Sequence, residues 1–477
     1  MSEIKDMSRA PSAAAALLGR LKGLWREIAG ADGAGDLPVL APHLGEADLE
    51  VLRTQMRACL AAKGGEVSAR ARAAALGRAY LSLSAVGRLR FLTLLATDFG
   101  PEPAVVDRAA QALTEAKDGA ARAKAEQVLR TALEPPRLKL LTQFNALPEG
   151  VKFLVDLRAE LMGLVAAEPA LAPLESDLKG LLASWFDVGF LELQRVTWRS
   201  PAAVLEKIMT YEAVHAIQGW SDLKNRLDSD RRLYAFFHPR MPDEPLIFVE
   251  VALVKSMADN VQDLLDTSAP LGDVDSADTA IFYSINNAQK GLAGISFGNF
   301  LIKKVVDDLS HQFTRIKTYA TLSPIPGFRK WLDQRLTKGE AGLLNATEHK
   351  ALTRLSNGLA AKGSLKTLLS DPDWLTDSRL VEALEPILIR LAARYLTREK
   401  RAGGSQVLDP VAHFHLSNGA RVERINPLAD RSANGLAQSA GLMVNYLYDL
   451  ADIEANHEAY SASGRVAMSG RVKALLK

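Results

Sequence analysis

The chain of 477 residues has a single cysteine, so it cannot form an internal disulfide, which favours a reducing compartment. It has no apolar run of about 18 residues, the length that a membrane-spanning helix needs. Its 58 basic and 56 acidic side chains nearly balance, so nothing predicts binding to nucleic acid or to an anionic membrane. The amino-terminal segment mixes acids with bases and makes a poor signal peptide. We therefore expect a cytoplasmic protein.

Residues that bind metals are also scarce. Cys59 lies in an apolar segment with helical character and is interpreted as a packing residue. His413 and His415 form an H-x-H pair, but no third ligand accompanies them, so we expect no metal site. The chain carries neither the dinucleotide-binding G-x-G-x-x-G nor the G-K-[ST] of a P-loop.

The first 185 or so residues read as one helix after another. Residues 67–96 are dominated by alanine, leucine and arginine, which favour helices. Leucines at 154, 157, 161 and 164 recur at helical spacing and predict one buried stripe. This part is typical of a helical bundle used for packing or assembly.

Short β-rich runs begin after residue 186, at 232–239, 246–254, 280–285 and 315–323. The first two runs are separated by a proline-containing connection that predicts a hairpin. A helix is expected after the third run, because Leu301, Val305 and Leu309 share one helical face. The sequence therefore predicts two domains: a helical domain over 1–186 and an α+β domain over 187–477.

A glycine-containing turn, residues 289–298, joins the third predicted strand to that helix. Its three glycines allow backbone N–H groups to approach an anion closely, and a helix amino terminus adds a favourable dipole. The combination suits a pyrophosphate, although a plain packing turn is the alternative.

Two further segments contain candidate catalytic side chains. Ser323, in TLSPIPGF, follows a predicted strand and precedes two prolines that fix the backbone, so it is either a substrate-positioning hydroxyl or an ordinary turn residue. If VAHFHL forms a strand, His413 and His415 point to the same face, and either could transfer a proton. His215 is interpreted as a polar tip on a helix and His238 as a strand-end side chain.

The segments WFDVGFLELQRVTW, YEAVHAI, AIFYSINNAQKGLAGISFGNFLIKKVV, TLSPIPGF and DPVAHFHLSNGA resemble those of malonyl-CoA decarboxylases. The resemblance runs from about residue 75 to about residue 450, in the same order and at compatible spacing. It implies a helical oligomerisation domain followed by a GCN5-related acyltransferase-like, mixed α/β catalytic domain. A homo-oligomer, either a dimer or a tetramer, is then expected.

The resemblance also implies a reaction, in which malonyl-CoA is converted to acetyl-CoA and CO2 without a metal or an organic cofactor. It places Ser323 against the malonyl group, His415 as the proton donor to the enolate, and Ser284 as a further polar residue of the site. It raises the expectation that Ala293, Gly294, Ile295, Ser296, Phe297, Gly298 and Asn299 bind the CoA pyrophosphate. Some members of the family have glutamate at the position of Ser296, so a carboxylate role there does not carry over.

Two other functions remain as alternatives. An acetyl-CoA-dependent N-acyltransferase would have a similar nucleotide loop, but it leaves TLSPIPGF and FHLSNGA unexplained. A non-catalytic acyl-CoA-binding protein would not need both Ser323 and His415.

Overall fold

A computed structural model describes Trp25, Ile28 and residues 37–62, 64–295, 300–356 and 365–477. Within these residues, contacts divide the chain into two compact units. The first comprises the chain up to Phe190 together with His238–Pro242 and Gln289–Ser296, and the second comprises the remainder. Among the described residues no helix is both long and apolar enough to cross a membrane.

The first unit is built from helices. They are α1 (Glu46–Leu60), α2 (Gly65–Ser82), α3 (Ala85–Asp98), α4 (Pro103–Glu115), α5 (Gly119–Leu133), α6 (Pro136–Asn145), α7 (Gly150–Leu164) and α8 (Ala172–Trp185).

Aromatic side chains form the centre of this unit. The fully buried Trp25 ring packs edge-on against Phe153 at 5.0 Å between centroids, and its Nε1 donates a hydrogen bond to Pro148 O at 2.8 Å. Gly77 on α2 is needed here, because a Cβ at that position would lie 2.1 Å from the Trp25 ring. The α7 leucines at 154, 157 and 161 are buried, as their spacing predicts, whereas Leu164 at the end of the helix is only partly buried.

The second unit contains the strands. They are β1 (Glu192–Val196), β2 (Arg231–Phe237), β3 (Ile247–Val254), β4 (Thr279–Asn287), β5 (Thr318–Thr321), β6 (Ser323–Pro324), β7 (Arg421–Asn426) and β8 (Met443–Leu447). Its helices between residues 202 and 370 are α9 (Ala202–Tyr211), α10 (Trp220–Arg226), α11 (Gln262–Leu265), α12 (Phe300–Gln312), α13 (Phe328–Thr337), α14 (Ala346–Ser356) and α15 (Leu365–Ser370). They are followed by α16 (Ser378–Arg398), α17 (Pro410–Ser417), α18 (Ala433–Ser439), α19 (Ile453–Ser463) and α20 (Gly470–Ala474).

The strands form one mixed sheet in the order β1-β2-β3-β4-β5-β8-β6, with β7 also paired to β8. Strands β1 to β4 are antiparallel neighbours, whereas β4 and β5 run parallel over four residue pairs. A parallel pair requires a crossover connection, and α12 lies in that connection. The predicted order, a helical part followed by a mixed α/β part, is confirmed.

The four predicted runs fall on strands of the sheet, whereas β1, β7 and β8 were not predicted. Each of the first three β-rich runs coincides with one strand, and β2 and β3 form the predicted antiparallel pair. The predicted buried face of α12 is confirmed, since Leu301, Val305 and Leu309 are at most 3% exposed. The fourth run, 315–323, covers the short strands β5 and the start of β6, which pair with β8 in one register.

Candidate active site

Strand β4 is irregular at its centre. Its register with β3 pairs Phe282 with Val251 and Ser284 with Glu250, so Tyr283 is an extra residue on β4. Such a β-bulge bends a strand and redirects its side chains. The parallel pairing with β5 ends at Phe282, just before the bulge. A cavity of about 230 Å³ lies beyond this point and is lined by Phe282, Ser284 and Ser323, among others.

Ser323 lies where β5 gives way to β6. Its side chain is 5% exposed and its Oγ lies 2.8 Å from the Oγ1 of Thr321. The Thr321 hydroxyl also accepts a hydrogen bond from the backbone N–H of Tyr446, at 3.2 Å. The Ser323 hydroxyl is therefore held in place at the cavity wall by a neighbouring strand.

The segment that contains both histidines is a helix, so the prediction of a strand is wrong. Helix α17 begins at Pro410, and the Asp409 carboxylate caps it by accepting a hydrogen bond from Ala412 N at 2.8 Å. Residues two apart on a helix are separated by about 200° around its axis. His413 and His415 therefore point in different directions. The segment is a helix because an aspartate at the cap and a proline in the first turn favour a helix start.

His415 is brought to Ser323 by this helix. It is 2% exposed, and its Nε2 lies 3.1 Å from Ser323 Oγ. The other ring nitrogen, Nδ1, lies 2.7 Å from the hydroxyl of Tyr448, just beyond β8. The ring of Tyr446 stacks on the imidazole at 4.5 Å. Both nitrogens of His415 and one face of its ring are therefore fixed.

Burial sets the charge of this histidine. Removal from water lowers the pKa of His415 from its usual value to about 3, because nothing nearby compensates the imidazolium charge. His415 is therefore neutral at physiological pH in the protein without ligand. Burial also raises the pKa of the Tyr448 hydroxyl far above its usual value, so this hydroxyl keeps its proton.

His413 has different surroundings. It is half-buried, and its Nδ1 lies 2.9 Å from the hydroxyl of Tyr460 on α19. It does not line the cavity that contains Ser323 and His415. The helix thus separates the two histidines that the sequence could not distinguish by geometry.

Ser284 also lines the cavity, but its hydroxyl is bound to a carboxylate. Its Oγ donates to Glu212, lying 2.9 Å from Oε1 and 2.8 Å from Oε2. Asn286 Nδ2 donates to the same carboxylate at 2.6 Å and to Ser284 Oγ at 2.7 Å. The backbone N–H groups of Val214 and His215 each donate to Glu212 Oε1 at 2.8 Å. Glu212 thus joins β4 to the loop that follows α9.

A second carboxylate lies close to this group. Glu250, which pairs with Ser284 across β3 and β4, is fully buried and forms an ion pair of 3.0 Å with Arg226. Burial, together with the charge of Glu212, raises the pKa of Glu250 to about 8. Arg226 also pairs with Asp222 at 2.9 Å. In the described part of the chain no ion pair neutralises Glu212 itself.

The glycine-containing turn is only partly described, since Ser296, Phe297, Gly298 and Asn299 lie outside the described residues. Ala293 and Gly294 are exposed, whereas Ile295 is buried. Gly294 has a φ of +72°, which favours glycine, and the Nζ of Lys179 lies 3.4 Å from where a Cβ would be. An exposed left-handed turn next to a lysine ammonium is suited to an anion.

Gly291, earlier in the same turn, has a structural role. A Cβ there would lie 1.8 Å from Val155 O, and Arg158 Nη1 donates to Gly291 O at 2.5 Å. Arg158 also pairs with Glu175 at 2.8 Å. These contacts hold the start of the turn against α7 within the first unit.

His215 and His238 have local roles. His215 lies in the loop after α9, so the interpretation of His215 as a polar tip on a helix is wrong. The Glu212 carboxylate accepts the backbone N–H of His215, which would otherwise bond within a longer helix. His238 lies directly after β2, as expected, with its Nε2 3.1 Å from Trp185 O. In the described residues no group of three or more His, Cys, Asp or Glu side chains could hold a metal ion.

Several residues of this site were not singled out from the sequence. Glu212, Asn286, Thr321 and Tyr448 are ordinary polar residues in segments that are distant from each other in the chain. Thr321 and Asn286 carried a local signal, since each lies two residues along the chain from a serine that was singled out, Ser323 or Ser284. The others become recognisable only when the sheet brings them together.

Comparison with known proteins gives a consistent result. Family models described as the malonyl-CoA decarboxylase N-terminal and C-terminal domains match residues 99–186 and 189–477. Mitochondrial malonyl-CoA decarboxylase from Anser anser anser is 39% identical over 417 residues, covering 84% of this chain and 82% of that protein. The mouse protein is 39% identical over 404 residues, covering 82% of each. The crystal structure of malonyl-CoA decarboxylase from Rhodopseudomonas palustris is 43% identical, covers 89% of this chain and 99% of that one, and has a TM-score of 0.81.

Proposed function

The chain belongs to the malonyl-CoA decarboxylase family, and we propose that it converts malonyl-CoA to acetyl-CoA and CO2 at the cavity formed by Ser323 and His415. Enzymes of this kind are carboxy-lyases. The observation that supports the proposal most directly is the contact of 3.1 Å between Ser323 Oγ and His415 Nε2 in a small buried cavity. The reaction requires a group that binds the malonyl group and a group that supplies a proton, and a hydroxyl and an imidazole can meet these two needs.

The first step breaks the bond between the α-carbon and the carboxylate of the malonyl group. CO2 leaves, and the electron pair remains on the α-carbon, delocalised onto the thioester oxygen as an enolate. A hydrogen-bond donor that is already in position stabilises this developing charge without reorganisation. We assign this part to Ser323, whose hydroxyl is held by Thr321 and His415.

The second step places a proton on the α-carbon, and we assign it to His415. The imidazole is neutral in the empty cavity, and a neutral imidazole is a weak acid. The malonyl carboxylate, and then the enolate, bring a negative charge into the cavity, and a nearby opposite charge favours the imidazolium. Substrate binding thus favours the uptake of one proton from solvent by His415, and the imidazolium then transfers that proton to the α-carbon and returns to its neutral form. Tyr448 keeps the ring oriented through Nδ1.

We propose further that the turn at 293–299 binds the CoA pyrophosphate. The support comes from the exposed backbone at Gly294, its positive φ and the adjacent Lys179 ammonium. Lysine serves proteins as a point charge for phosphate. The chemistry described above needs no electron sink other than the thioester, so we propose a reaction without metal or organic cofactor.

We make three further proposals, on oligomeric state, compartment and macromolecular partners. We propose that it forms a homo-oligomer through its helical part, which light scattering coupled to gel filtration tests. We propose that it acts in the cytoplasm, although the vertebrate relatives are named as mitochondrial. We propose that it binds neither nucleic acid nor membranes.

The test of the function is direct. Purified protein is incubated with malonyl-CoA, and the CoA thioesters are separated by chromatography while CO2 release is measured. Equal amounts of acetyl-CoA and CO2 are expected. Free CoA with malonate would indicate thioester hydrolysis instead, and unchanged malonyl-CoA would indicate a non-catalytic binding protein.

A further inference from the structure

We propose that Glu212 is a positioning residue that turns the Ser284 proton away from the cavity and thereby keeps the malonyl carboxylate from binding at that wall. The inference rests on the proposed function, because it concerns how malonyl-CoA lies in the cavity. It assigns a role to a buried carboxylate that the reaction described above does not use.

The hydrogen-bond inventory fixes the direction of the Ser284 hydroxyl. A serine hydroxyl has one proton, and an ionised carboxylate can only accept. Asn286 Nδ2 donates to Ser284 Oγ, so the serine proton must go to Glu212, which both distances place within reach. The amide of Asn286 cannot be reversed without loss, because its Oδ1 accepts a hydrogen bond from Ala213 N at 3.0 Å.

Ser284 lines the cavity, and its hydroxyl has no proton left to donate to a group bound there. The charge behind it has the same sign as the substrate carboxylate. Glu212 is 6% exposed, and the guanidinium of Arg226 forms its ion pairs with Glu250 and Asp222. A carboxylate placed against this wall would meet an acceptor and a buried negative charge, which is unfavourable at low local dielectric.

Such a wall directs the substrate. The malonyl group can rotate about its α-carbon, and a hydroxyl that donated at Ser284 would offer the carboxylate a second binding position. With that position made unfavourable, the carboxylate stays away from Ser284, and Ser323 donates to the thioester oxygen as proposed above. The carboxylate then lies where its departure leaves the enolate next to His415.

The Glu212→Gln substitution tests this reasoning. Glutamine has one acceptor oxygen, and the N–H groups of Val214 and His215 both require it. The new amide nitrogen takes the place of Oε2, so Asn286 Nδ2 and Ser284 Oγ both lose that acceptor. The remaining oxygen already accepts from two backbone N–H groups, so it holds the serine proton less firmly and the proton can turn toward the cavity. A second, unproductive position for the carboxylate becomes available.

Unproductive binding has a distinctive kinetic result. We expect Glu212→Gln to lower kcat and KM together by about fivefold or more, with kcat/KM changed by less than about twofold. Structural damage would instead lower kcat/KM. The Glu348→Gln variant is the matched control, since Glu348 is another buried carboxylate, paired with Arg390, and this variant should keep wild-type kinetics.

The Ser284→Ala background shows whether Glu212 acts through Ser284. In that background Glu212→Gln should change kcat and KM by less than about twofold, because the hydroxyl that creates the second position is gone. Equal effects with and without Ser284, or a fall in kcat/KM at constant KM, would overturn the proposal. If Glu212→Gln does not fold, Glu212→Asp, which draws the carboxylate back from Ser284, should show the same joint change at smaller amplitude.

Wild-type protein assayed alongside separates the two proposals. Wild-type protein that produces no acetyl-CoA contradicts the proposed function. Active wild-type protein with an unaffected Glu212→Gln variant contradicts only the role of Glu212.

Discussion

Ser323 Oγ lies 3.1 Å from His415 Nε2, although 92 residues separate them in the chain. The strand end supplies the hydroxyl and the capped helix α17 supplies the imidazole. The pair stands in a cavity whose other lining residues are largely apolar, and each member is fixed by a further hydroxyl, that of Thr321 or Tyr448. This arrangement predicts distinct effects for substitutions that otherwise look alike.

The two histidines of α17 should differ strongly in their contribution to the rate. His415→Asn keeps some hydrogen bonding but removes the titrating group, so kcat should fall by about 10² or more with KM little changed. His413→Asn, which loses only the contact with Tyr460, should stay within about tenfold of wild type. Steady-state kinetics with circular dichroism of both variants measures this, and the reverse order would show that the proton donor is misassigned.

Ser323→Ala should lower kcat by about 10²–10³, the usual effect of removing one well-placed donor. Because the hydroxyl acts by hydrogen bonding, mass spectrometry of protein quenched during turnover should detect no malonyl or acetyl adduct. Ser417→Ala is the control, since that α17 hydroxyl only donates to Phe414 O at 2.9 Å. A stable acyl group on Ser323 would contradict this role and indicate covalent catalysis.

The turn at Gly294 should determine CoA affinity. Lys179→Ala should weaken binding of CoA thioesters by removing the adjacent ammonium, and Gly294→Val should do so by straining the exposed turn. Isothermal titration calorimetry measures both affinities. Gly163→Val is the control because a Cβ at Gly163 meets open space. Unchanged affinity in both folded test variants would remove the pyrophosphate assignment.

Stability should depend on pH through His415. Its pKa is about 3 in the folded protein and about 6.5 when unfolded, so the unfolded chain takes up the proton first as pH falls. This group's contribution is present above pH 6.5 and is lost as the pH falls towards 3. Between pH 7 and pH 5, wild type should lose about 2 kcal/mol more unfolding free energy than His415→Asn. Urea unfolding at both pH values measures the difference, and parallel losses would show that His415 is not buried in its neutral form.

Activity should not depend on added metal. After exhaustive dialysis against EDTA, kcat should remain at the level of undialysed protein, because Ser323 and His415 supply both the donor and the proton. Elemental analysis of the dialysed sample is the control for metal removal. Lost activity that zinc or manganese restores would contradict the proposed reaction without cofactors.

The sequence was sufficient for some of this site and not for the rest. Strands β2 to β4 were predictable because aromatic and β-branched residues are concentrated between turn formers, and the α12 face was predictable because its buried residues recur at helical spacing. For α17 the aromatic and β-branched run suggested a strand, yet Asp409 and Pro410 carried the opposite signal of a capped helix start. Glu212 and Tyr448 could not be found in this way, since their roles depend on contacts between distant segments of the chain.

The extra residue at Tyr283 makes the length of β4 a functional property in its own right. The four residues before it pair with β5, while the residues after it pair only with β3, so the two halves of the strand keep separate registers. Removal of Tyr283 would merge these registers and let the ladder with β5 continue into the space that we propose for the substrate. Replacement of a side chain changes only the lining of this space. A change in the number of residues in β4 determines whether the space exists between the strands.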